Sequence, residues 1–351
     1  MKETIEIRRG EEINETDLRE FLGEKFSGQT GEIKISQFPA GSSNLTYLVK
    51  IGAEEFVLRR PPFGNTVKSA HDMKREFDVL QKLSKVYQPA PKPLVYCADE
   101  TIIGSEFYLM ERRNGLIIRS KSPEILENST ELQKKVCESF IENLANLHAL
   151  DYKKIGLENL GKPEGYAQRQ VEGWTKRYFS AKTDEHFELE KSIEWLNANT
   201  PESIGATLVH NDYKFDNVML DPENLTRVTA VLDWEMTTVG EPLMDLGTTL
   251  GYWMSADAGD EMLSMPFNPK VLMKNFTRRD LVEIYAEKSG RNTSDILFYC
   301  VFGTFKIAVI AQQIYARFVK GFTKDKRFAG FNYFVNALGK IALIGIEKQE
   351  I

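Results

Sequence analysis

The hydrophobic pattern of the chain changes once, near residues 111–115, and this change constrains the fold more than any other feature. Before it, short segments rich in β-branched and aromatic residues predict strands. These strands are expected at 33–38, 46–51, 55–60, 94–97 and 106–111. After it, the spacing of apolar residues is mostly helical. We therefore expect an α+β, bilobal fold with domains at 1–111 and 112–351.

The first domain is expected to be a small antiparallel β-rich lobe with one long helix at 68–86. A shorter helix is predicted at 16–26, with Thr16 as its N-cap. The second domain is expected to be larger and mostly helical, with a patch of two or three strands at 207–232. Its helices are predicted at 132–150, 165–179, 187–197, 243–254, 278–288, 295–319 and 331–346.

Charge and cysteine content exclude several classes of protein. The 351 residues include 45 Lys plus Arg and 51 Asp plus Glu, a formal charge of −6, so a dedicated nucleic-acid binder is not expected. The cysteines are odd in number and far apart, which argues against a disulfide framework or a zinc site. They are Cys97, Cys137 and Cys300. Three buried thiols in a reducing compartment are the expected state.

Neither the N-terminus nor the most apolar stretch indicates a membrane protein. Residues 1–10 lack the apolar segment of a signal peptide. The stretch 296–305 is interrupted by Lys306, and a membrane span needs about 20 apolar residues. We therefore expect a cytoplasmic protein with no membrane partner. Whether Lys306 reaches solvent or faces a cleft stays open at this point.

The densest chemical signal is the polar run 210–217, which follows an apolar segment, together with Asp233 sixteen residues further on. Phosphoryl transfer from a nucleotide needs an aspartate that accepts the proton of the substrate hydroxyl, and Asp212 has that place. It also needs hard oxygen ligands for Mg²⁺, which Asn217 and Asp233 supply. Lys214 either contacts the γ-phosphate or is a solvated loop residue.

The pattern His210-x-Asp212-x-x-x-x-Asn217 followed by Asp233 resembles the catalytic loop and metal aspartate of the protein-kinase-like fold. It is most similar to the aminoglycoside phosphotransferase and choline kinase family, where the loop reads H-G-D, and Asn211 replaces that glycine. Within the family, the chain resembles the kinase-like domains related to the N-terminal domain of some acyl-CoA dehydrogenases. The resemblance covers residues 33–251 and weakens beyond them.

The resemblance also implies a nucleotide-binding set in the first domain. A phosphate loop is expected at Gly41, Ser42, Ser43 and Asn44, between two predicted strands. Arg59 lies where protein kinases carry a phosphate-pairing lysine, and Glu76 matches the helix glutamate that anchors this cation. The hinge whose backbone would bind adenine corresponds to Met110, Glu111 and Arg112.

Further polar residues near this set have a structural as well as a functional interpretation. The resemblance implies that Asp245 braces the catalytic loop and that His210 fixes the loop rather than acting as a base. Glu235 is expected in a salt bridge or cap rather than on a metal through water, and Asp216 in a loop-stabilising role rather than as a ligand. Four aromatic residues are typical of a core, although they would also suit an acceptor pocket. They are Trp174, Tyr178, Tyr252 and Trp253.

These observations predict an ATP- and Mg²⁺-dependent phosphotransferase acting on a small-molecule hydroxyl. The acceptor stays open between an amino sugar, a choline-like amine and a hydroxyacyl compound, because the C-terminal helices that would bind it resemble the family least. The alternative is a nucleotide-binding pseudokinase or scaffold without turnover, which the arginine at position 59 suggests. A protein kinase ranks lower, since the G-x-G-x-x-G and A-P-E segments are absent. The oligomeric state is left open.

Overall fold

The computed structural model describes residues 3–26, 32–39, 44–62, 72–254, 269–323 and 325–351. The chain forms two compact units. The first contains Met1–Asn114 and Ala230–Glu235, and the second contains Gly115–Thr229 and Met236–Ile351. The sequence-based division at 111 did not separate the short segment Ala230–Glu235, which carries Asp233 into the first unit.

The first unit is built on a five-stranded antiparallel sheet with the strand order β1-β2-β3-β5-β4. The strands are β1 (Ile33–Gln37), β2 (Leu45–Ile51), β3 (Glu54–Arg60), β4 (Pro93–Cys97) and β5 (Phe107–Glu111). Its helices are α1 (Glu15–Lys25), α2 (Met73–Leu83) and α3 (Glu100–Ile103). All five strands were expected from the sequence; α3 was not.

The helix starts of this unit differ from the prediction. The N-cap of α1 is Asn14, whose side chain accepts from the backbone N–H groups of Thr16 and Asp17, so the prediction of Thr16 as the cap was wrong. Both residue types cap helices, and the spacing of apolar residues cannot choose between positions two apart. Asp72 caps α2, and the predicted first turns of that helix, at 68–71, lie outside the described residues.

The second unit is mostly helical and holds four short strands. Its helices are α4 (Glu124–Glu127), α5 (Thr130–His148), α6 (Tyr166–Ala181), α7 (Phe187–Ala198), α8 (Pro242–Tyr252), α9 (Lys270–Asn275), α10 (Arg278–Ser289), α11 (Ile296–Val319) and α12 (Phe331–Lys348). The strands are β6 (Thr207–Val209), β7 (Val218–Leu220), β8 (Val228–Val231, whose last two residues belong to the first unit) and β9 (Thr238–Gly240). β6 pairs with β9, and β7 with β8.

Two glycines let α8 and α11 approach each other closely. A Cβ atom built on Gly303 would lie 1.9 Å from the carbonyl oxygen of Gly247, and one built on Gly247 would lie 2.1 Å from the carbonyl oxygen of Tyr299. No side chain fits at either position. Lys306 follows Gly303 by about one turn of α11. The close crossing therefore places Lys306 near the loop that follows β6.

Two stretches of the described residues, Ile296–Val319 and Lys326–Lys348, are long and apolar enough to cross a membrane. The expectation that the first would fall short in length was wrong, because a single lysine does not end the helix. In its most apolar window, 78% is buried inside the unit, as in the core helix of a folded domain. The corresponding share for the second is 22%. All three cysteines are buried and free, as expected.

Candidate active site

The loop that carries Asp212 follows β6 and is held by the buried carboxylate of Asp245. The backbone N–H groups of His210 and Asn211 donate to Asp245 Oδ2 and Oδ1 at 2.6 and 2.7 Å. Nε2 of His148 lies 3.2 Å from Asp245 Oδ2. Burial alone would raise the pKa of Asp245, but its bond to His148 and the nearby His210 hold that pKa below its usual value. Asp245 therefore braces the loop, as the resemblance implies.

His210 and Asn211 shape the backbone just before Asp212. The fully buried His210 accepts at Nδ1 from the backbone N–H of Asp212, at 3.2 Å. Asn211 has a φ of 67°, a left-handed conformation that only glycine adopts without strain and that asparagine tolerates better than most residues. This conformation explains both the glycine usual in the family and the asparagine found here.

The carboxylate of Asp212 receives four hydrogen bonds. Lys214 Nζ donates to Oδ1 and Oδ2 at 3.0 and 2.9 Å. Tyr252 Oη donates to Oδ1 at 2.9 Å, and Asn217 Nδ2 donates to Oδ2 at 2.9 Å and to the main-chain oxygen of Asp212 at 2.9 Å. Burial would raise the pKa of Asp212, but Lys214 lowers it below its usual value. Asp212 is thus a half-buried, ionised carboxylate, 17% exposed, that is fixed by short contacts.

Lys306 faces this loop from α11, which settles the question that the sequence left open. Its side chain is 2% exposed, and its Nζ donates to the carbonyl oxygen of Asn211 at 2.6 Å and lies 5.5 Å from the ring centre of Trp174. Burial lowers the pKa of Lys306 to about 8, although Asp212 and Asp245 act in the opposite direction. It therefore does not reach solvent, and it holds the peptide next to Asp212.

The first unit contains a second polar array, centred on Arg59. Arg59 Nε lies 3.4 Å from Glu76 Oε2, and Arg59 Nη2 lies 2.9 Å from Asp233 Oδ1 and 3.5 Å from Glu235 Oε2. Asn44 Nδ2 donates to Glu235 Oε2 at 2.6 Å. Three carboxyl groups thus surround a single guanidinium. The pairing of Arg59 with Glu76, inferred from the sequence, is present in the structure.

Burial and charge pairing act in opposite directions on the pKa values of this array. Burial would lower the pKa of Arg59, but Glu76 and Asp233 raise it well above its ordinary value. Burial raises the pKa of Glu76, and Arg59 offsets only part of that shift. Within the described part of the chain, Arg59 Nε and Glu76 Oε2 are buried without a hydrogen-bond partner. These two atoms lie 3.4 Å from each other, so they are paired by charge without a hydrogen bond of normal length.

The remaining predicted nucleotide-binding residues fall into two groups. Gly41, Ser42 and Ser43 lie outside the described residues. Of the hinge residues, the N–H of Glu111 donates to the carbonyl oxygen of Lys92 at 2.9 Å, and Met110 lies in β5. Arg112 forms ion pairs with Glu3 and Glu55.

The two predicted Mg²⁺ ligands, Asn217 and Asp233, belong to different units. Asn217 uses its amide nitrogen on Asp212, so its oxygen is the atom left for a cation. Asp233 has a φ of 68°, and its side chain is 33% exposed. Backbone held in this region is typical of functional positions. The described residues contain no group of three or more His, Cys, Asp or Glu side chains that could hold a metal. Each of the two residues has a hard oxygen donor, the type of ligand that Mg²⁺ prefers in proteins.

Other residues of the site were interpreted more cautiously from the sequence. Tyr252 and Lys306 contact the catalytic loop directly. Helical spacing in the sequence places both among apolar neighbours, but it does not show which polar group each of them contacts. Asp216 accepts from Arg119 Nε at 2.7 Å, which agrees with its loop-stabilising interpretation. Two of the non-glycine residues with positive φ, Asn211 and Asp233, mark the site, and only the structure reveals them.

A family model described as the phosphotransferase enzyme family matches residues 34–265, which is more than half of the chain. The fold described above is therefore that of a kinase-like phosphotransferase. The chain belongs to this phosphotransferase family.

Solved structures agree with this assignment. A Ralstonia eutropha protein assigned as an aminoglycoside phosphotransferase is 28% identical, with a TM-score of 0.80, over 96% of this chain and 99% of that one. Choline kinase from Cryptosporidium parvum shares the fold at 13% identity, with a TM-score of 0.66 over 95% and 96% of the two chains. A mutant of the aminoglycoside phosphotransferase APH(4)-Ia, in a ternary complex with ADP and hygromycin B, shares it at 16% identity, with a TM-score of 0.60 over 93% and 98%.

Curated relatives carry a different name. Acyl-CoA dehydrogenase family member 11 from Gallus gallus is 33% identical over 91% of this chain, and the human protein of that name is 32% identical over 93%. The matched region is 41% and 42% of those proteins, so the chain spans about two fifths of their length. The similarity to this branch, predicted from the motifs, is confirmed.

Proposed function

We propose that this protein transfers the γ-phosphoryl group of ATP to a hydroxyl group of a small molecule. The observation that carries the proposal is the carboxylate of Asp212, which is half-buried, ionised and fixed by Lys214 and Asn217 on a loop that Asp245 braces. A base for a weakly acidic hydroxyl needs this combination of a defined position and a charged state. The complexes of two fold relatives with ADP support the use of a nucleotide.

The chemistry assigned to the second unit is proton transfer and charge stabilisation. The acceptor hydroxyl would donate its hydrogen bond to Asp212, which takes the proton as the new oxygen–phosphorus bond forms and the bond to ADP breaks. Lys214, two residues on, provides a positive charge next to this carboxylate. It would stabilise the negative charge that spreads over the transferring group.

The first unit is proposed to bind the nucleotide. Arg59, held by Glu76, would pair with its phosphates, with Asn44 at the end of the phosphate loop and the backbone of Met110–Arg112 at adenine. Asn217 and Asp233 are the proposed ligands of Mg²⁺, because both are hard oxygen donors. Bound Mg²⁺ would neutralise the charge of the phosphates.

The acceptor is proposed only by class, as a hydroxylated small molecule. An amino sugar needs carboxylates. A choline-like amine needs an aromatic cage. A hydroxyacyl compound needs a basic, apolar slot. The described residues near Asp212 offer a cavity of about 20 Å³, room for roughly one water molecule. These residues therefore do not favour one of the three acceptor classes over the others. A cytoplasmic location and the absence of nucleic-acid and membrane partners remain proposals.

A screen with isotope-labelled ATP tests the function. The protein would be incubated with ATP carrying ¹⁸O on the γ-phosphoryl group, Mg²⁺ and a library of hydroxylated metabolites, and label transfer would be read by mass spectrometry. We expect labelled phosphate on at least one small molecule, and none with Asp212→Asn. ATP binding without transfer to any acceptor, and without hydrolysis, would favour the scaffold alternative.

A further inference from the structure

Tyr252, the last residue of α8, contacts both charged groups proposed for catalysis but has no part in the proposed mechanism. Its hydroxyl donates to Asp212 Oδ1 at 2.9 Å. Lys214 Nζ lies 3.5 Å from the same hydroxyl and 4.6 Å from the centre of the tyrosine ring. Burial raises the pKa of Tyr252, so the phenol keeps its proton and acts as a donor.

The acceptor capacity of the Asp212 carboxylate is already filled. An ionised carboxylate has about four lone-pair sites. Lys214 occupies two of them, Asn217 one and Tyr252 one. A hydroxylated acceptor that gives its proton to Asp212 must therefore displace one of these donors.

Tyr252 is the donor that is easiest to displace. The bonds from Lys214 join two opposite charges and are stronger than a bond from a neutral hydroxyl. Asn217 is anchored twice, because the same amide nitrogen also donates to the main-chain oxygen of Asp212. Tyr252 is neutral, and its one hydrogen bond to Asp212 goes to the carboxylate. It also lines the cavity of about 20 Å³ beside Lys214.

We propose that the hydroxyl of Tyr252 occupies, on Asp212, the place that the acceptor hydroxyl must take, so that the acceptor displaces Tyr252 before transfer. This inference rests on the proposed function. Tyr252 acts as a positioning residue that keeps water from Asp212 when no acceptor is bound. When the acceptor displaces it, the proton of the acceptor hydroxyl passes to Asp212, an oxygen–phosphorus bond forms, and the bond between the γ-phosphorus and ADP breaks.

Hydrolysis of ATP in the absence of any acceptor tests this role, since water is then the competing hydroxyl. Tyr252→Phe keeps the ring over Lys214 and opens one acceptor site on Asp212 to water. We expect ATP hydrolysis with Mg²⁺ to rise about two- to tenfold, the factor that corresponds to one net hydrogen bond. A residue that only supported the shape of the loop would give a fall or no change.

Tyr96→Phe is the matched control. The hydroxyl of Tyr96 donates to Glu106 Oε2 at 2.5 Å, and Lys74 Nζ lies 5.6 Å from its ring centre, so the substitution removes the same group from a similar environment in the first unit. Its rate of hydrolysis should equal that of the wild type. ADP-induced thermal shifts of all variants verify folding, and Tyr252→Leu repeats the test if the phenylalanine variant is unstable.

The outcomes separate this inference from the proposed function. A rate in Tyr252→Phe equal to or below the wild-type rate overturns the role of Tyr252, and so does a gain that survives in the Asp212→Asn/Tyr252→Phe double variant. Hydrolysis that is the same with and without Asp212 in the wild-type background contradicts the proposed function itself. The proposal holds if the gain appears and disappears with Asp212.

Discussion

The polar arrays of the two units have opposite arrangements of charge, one around a carboxylate and the other around a guanidinium. In the second unit, one carboxylate, Asp212, receives four hydrogen bonds, and the cations Lys214 and Lys306 lie near it. In the first unit, three carboxyl groups share Arg59, and two buried atoms of that array lack a hydrogen bond among the described residues. Those two atoms are Arg59 Nε and Glu76 Oε2, which form an ion pair at 3.4 Å. The second array therefore shares several donors on one anion, whereas the first shares several carboxyl groups on one cation.

The largest effect is expected from removing the shared cation of the first array. Arg59→Met leaves Glu76 buried without its counter-ion, so we expect a loss of about 3–5 kcal/mol in the free energy of unfolding. Lys214→Met should cost less, about 1–3 kcal/mol, because Asp212 keeps Tyr252 and Asn217 as donors. Urea denaturation of both variants measures the difference.

Arg59→Lys serves as the control for charge, and Arg59→Met/Glu76→Gln should recover part of the lost stability. Equal losses for Arg59→Met and Lys214→Met would contradict the contrast between a buried carboxyl group that loses its counter-ion and a carboxylate that keeps other donors.

A smaller effect is expected from Lys306, the buried cation near the second array. The pKa of Lys306 is about 8 in the folded protein and about 10.4 in an unfolded chain. Between these values the unfolded chain binds more protons, so stability should rise with pH, by up to about 1.4 kcal/mol per pH unit. Lys306→Met removes this titration.

The measurement is the difference in unfolding free energy between the wild type and Lys306→Met at pH 7, 8, 9 and 10. The unfolding free energy of the wild type should increase relative to that of the variant above pH 8 and not below it. A difference that stays constant from pH 7 to pH 10 would show that the ammonium group is not desolvated in the fold.

The smallest effect is expected at the strained peptide of the loop. Asn211→Ala and Asn211→Gly both remove the side-chain bonds to Tyr166 and to the carbonyl oxygen of Met236. Only the alanine variant keeps the penalty of a φ of 67°, so it should be less stable than the glycine variant by about 1–2 kcal/mol. Thermal unfolding measures the gap, and a more stable alanine variant would refute the argument.

The sequence predicted the periodic parts of the fold and missed those defined by long-range pairing. β1 to β5 follow from runs of β-branched and aromatic residues. By contrast, β9 has only three residues, Thr238–Gly240, and pairs with Thr207–Val209 about thirty positions earlier in the chain. So short a segment has no periodicity of its own, and its pairing partner cannot be read from local spacing.

The same limit applies to the candidate site. The loop at 210–217 and the pair of Arg59 with Glu76 follow from motif spacing, because each lies within a recognisable sequence pattern. The contacts of Lys306 and Tyr252 with the loop do not, since they depend on how α11 and α8 cross at Gly303 and Gly247. Glu235 was expected in a salt bridge, and it lies 3.5 Å from Arg59.

The central claim is that Asp212 is the base of a phosphotransferase, and comparing turnover with nucleotide binding in Asp212→Asn tests it most directly. Asp221→Asn is the control, an aspartate outside the loop that pairs with Arg227. We predict that Asp212→Asn keeps its ADP- and Mg²⁺-induced thermal shift but loses about 10²–10⁴-fold in ATP turnover, whereas Asp221→Asn keeps both. Turnover near the wild-type level in a folded Asp212→Asn variant would contradict the account.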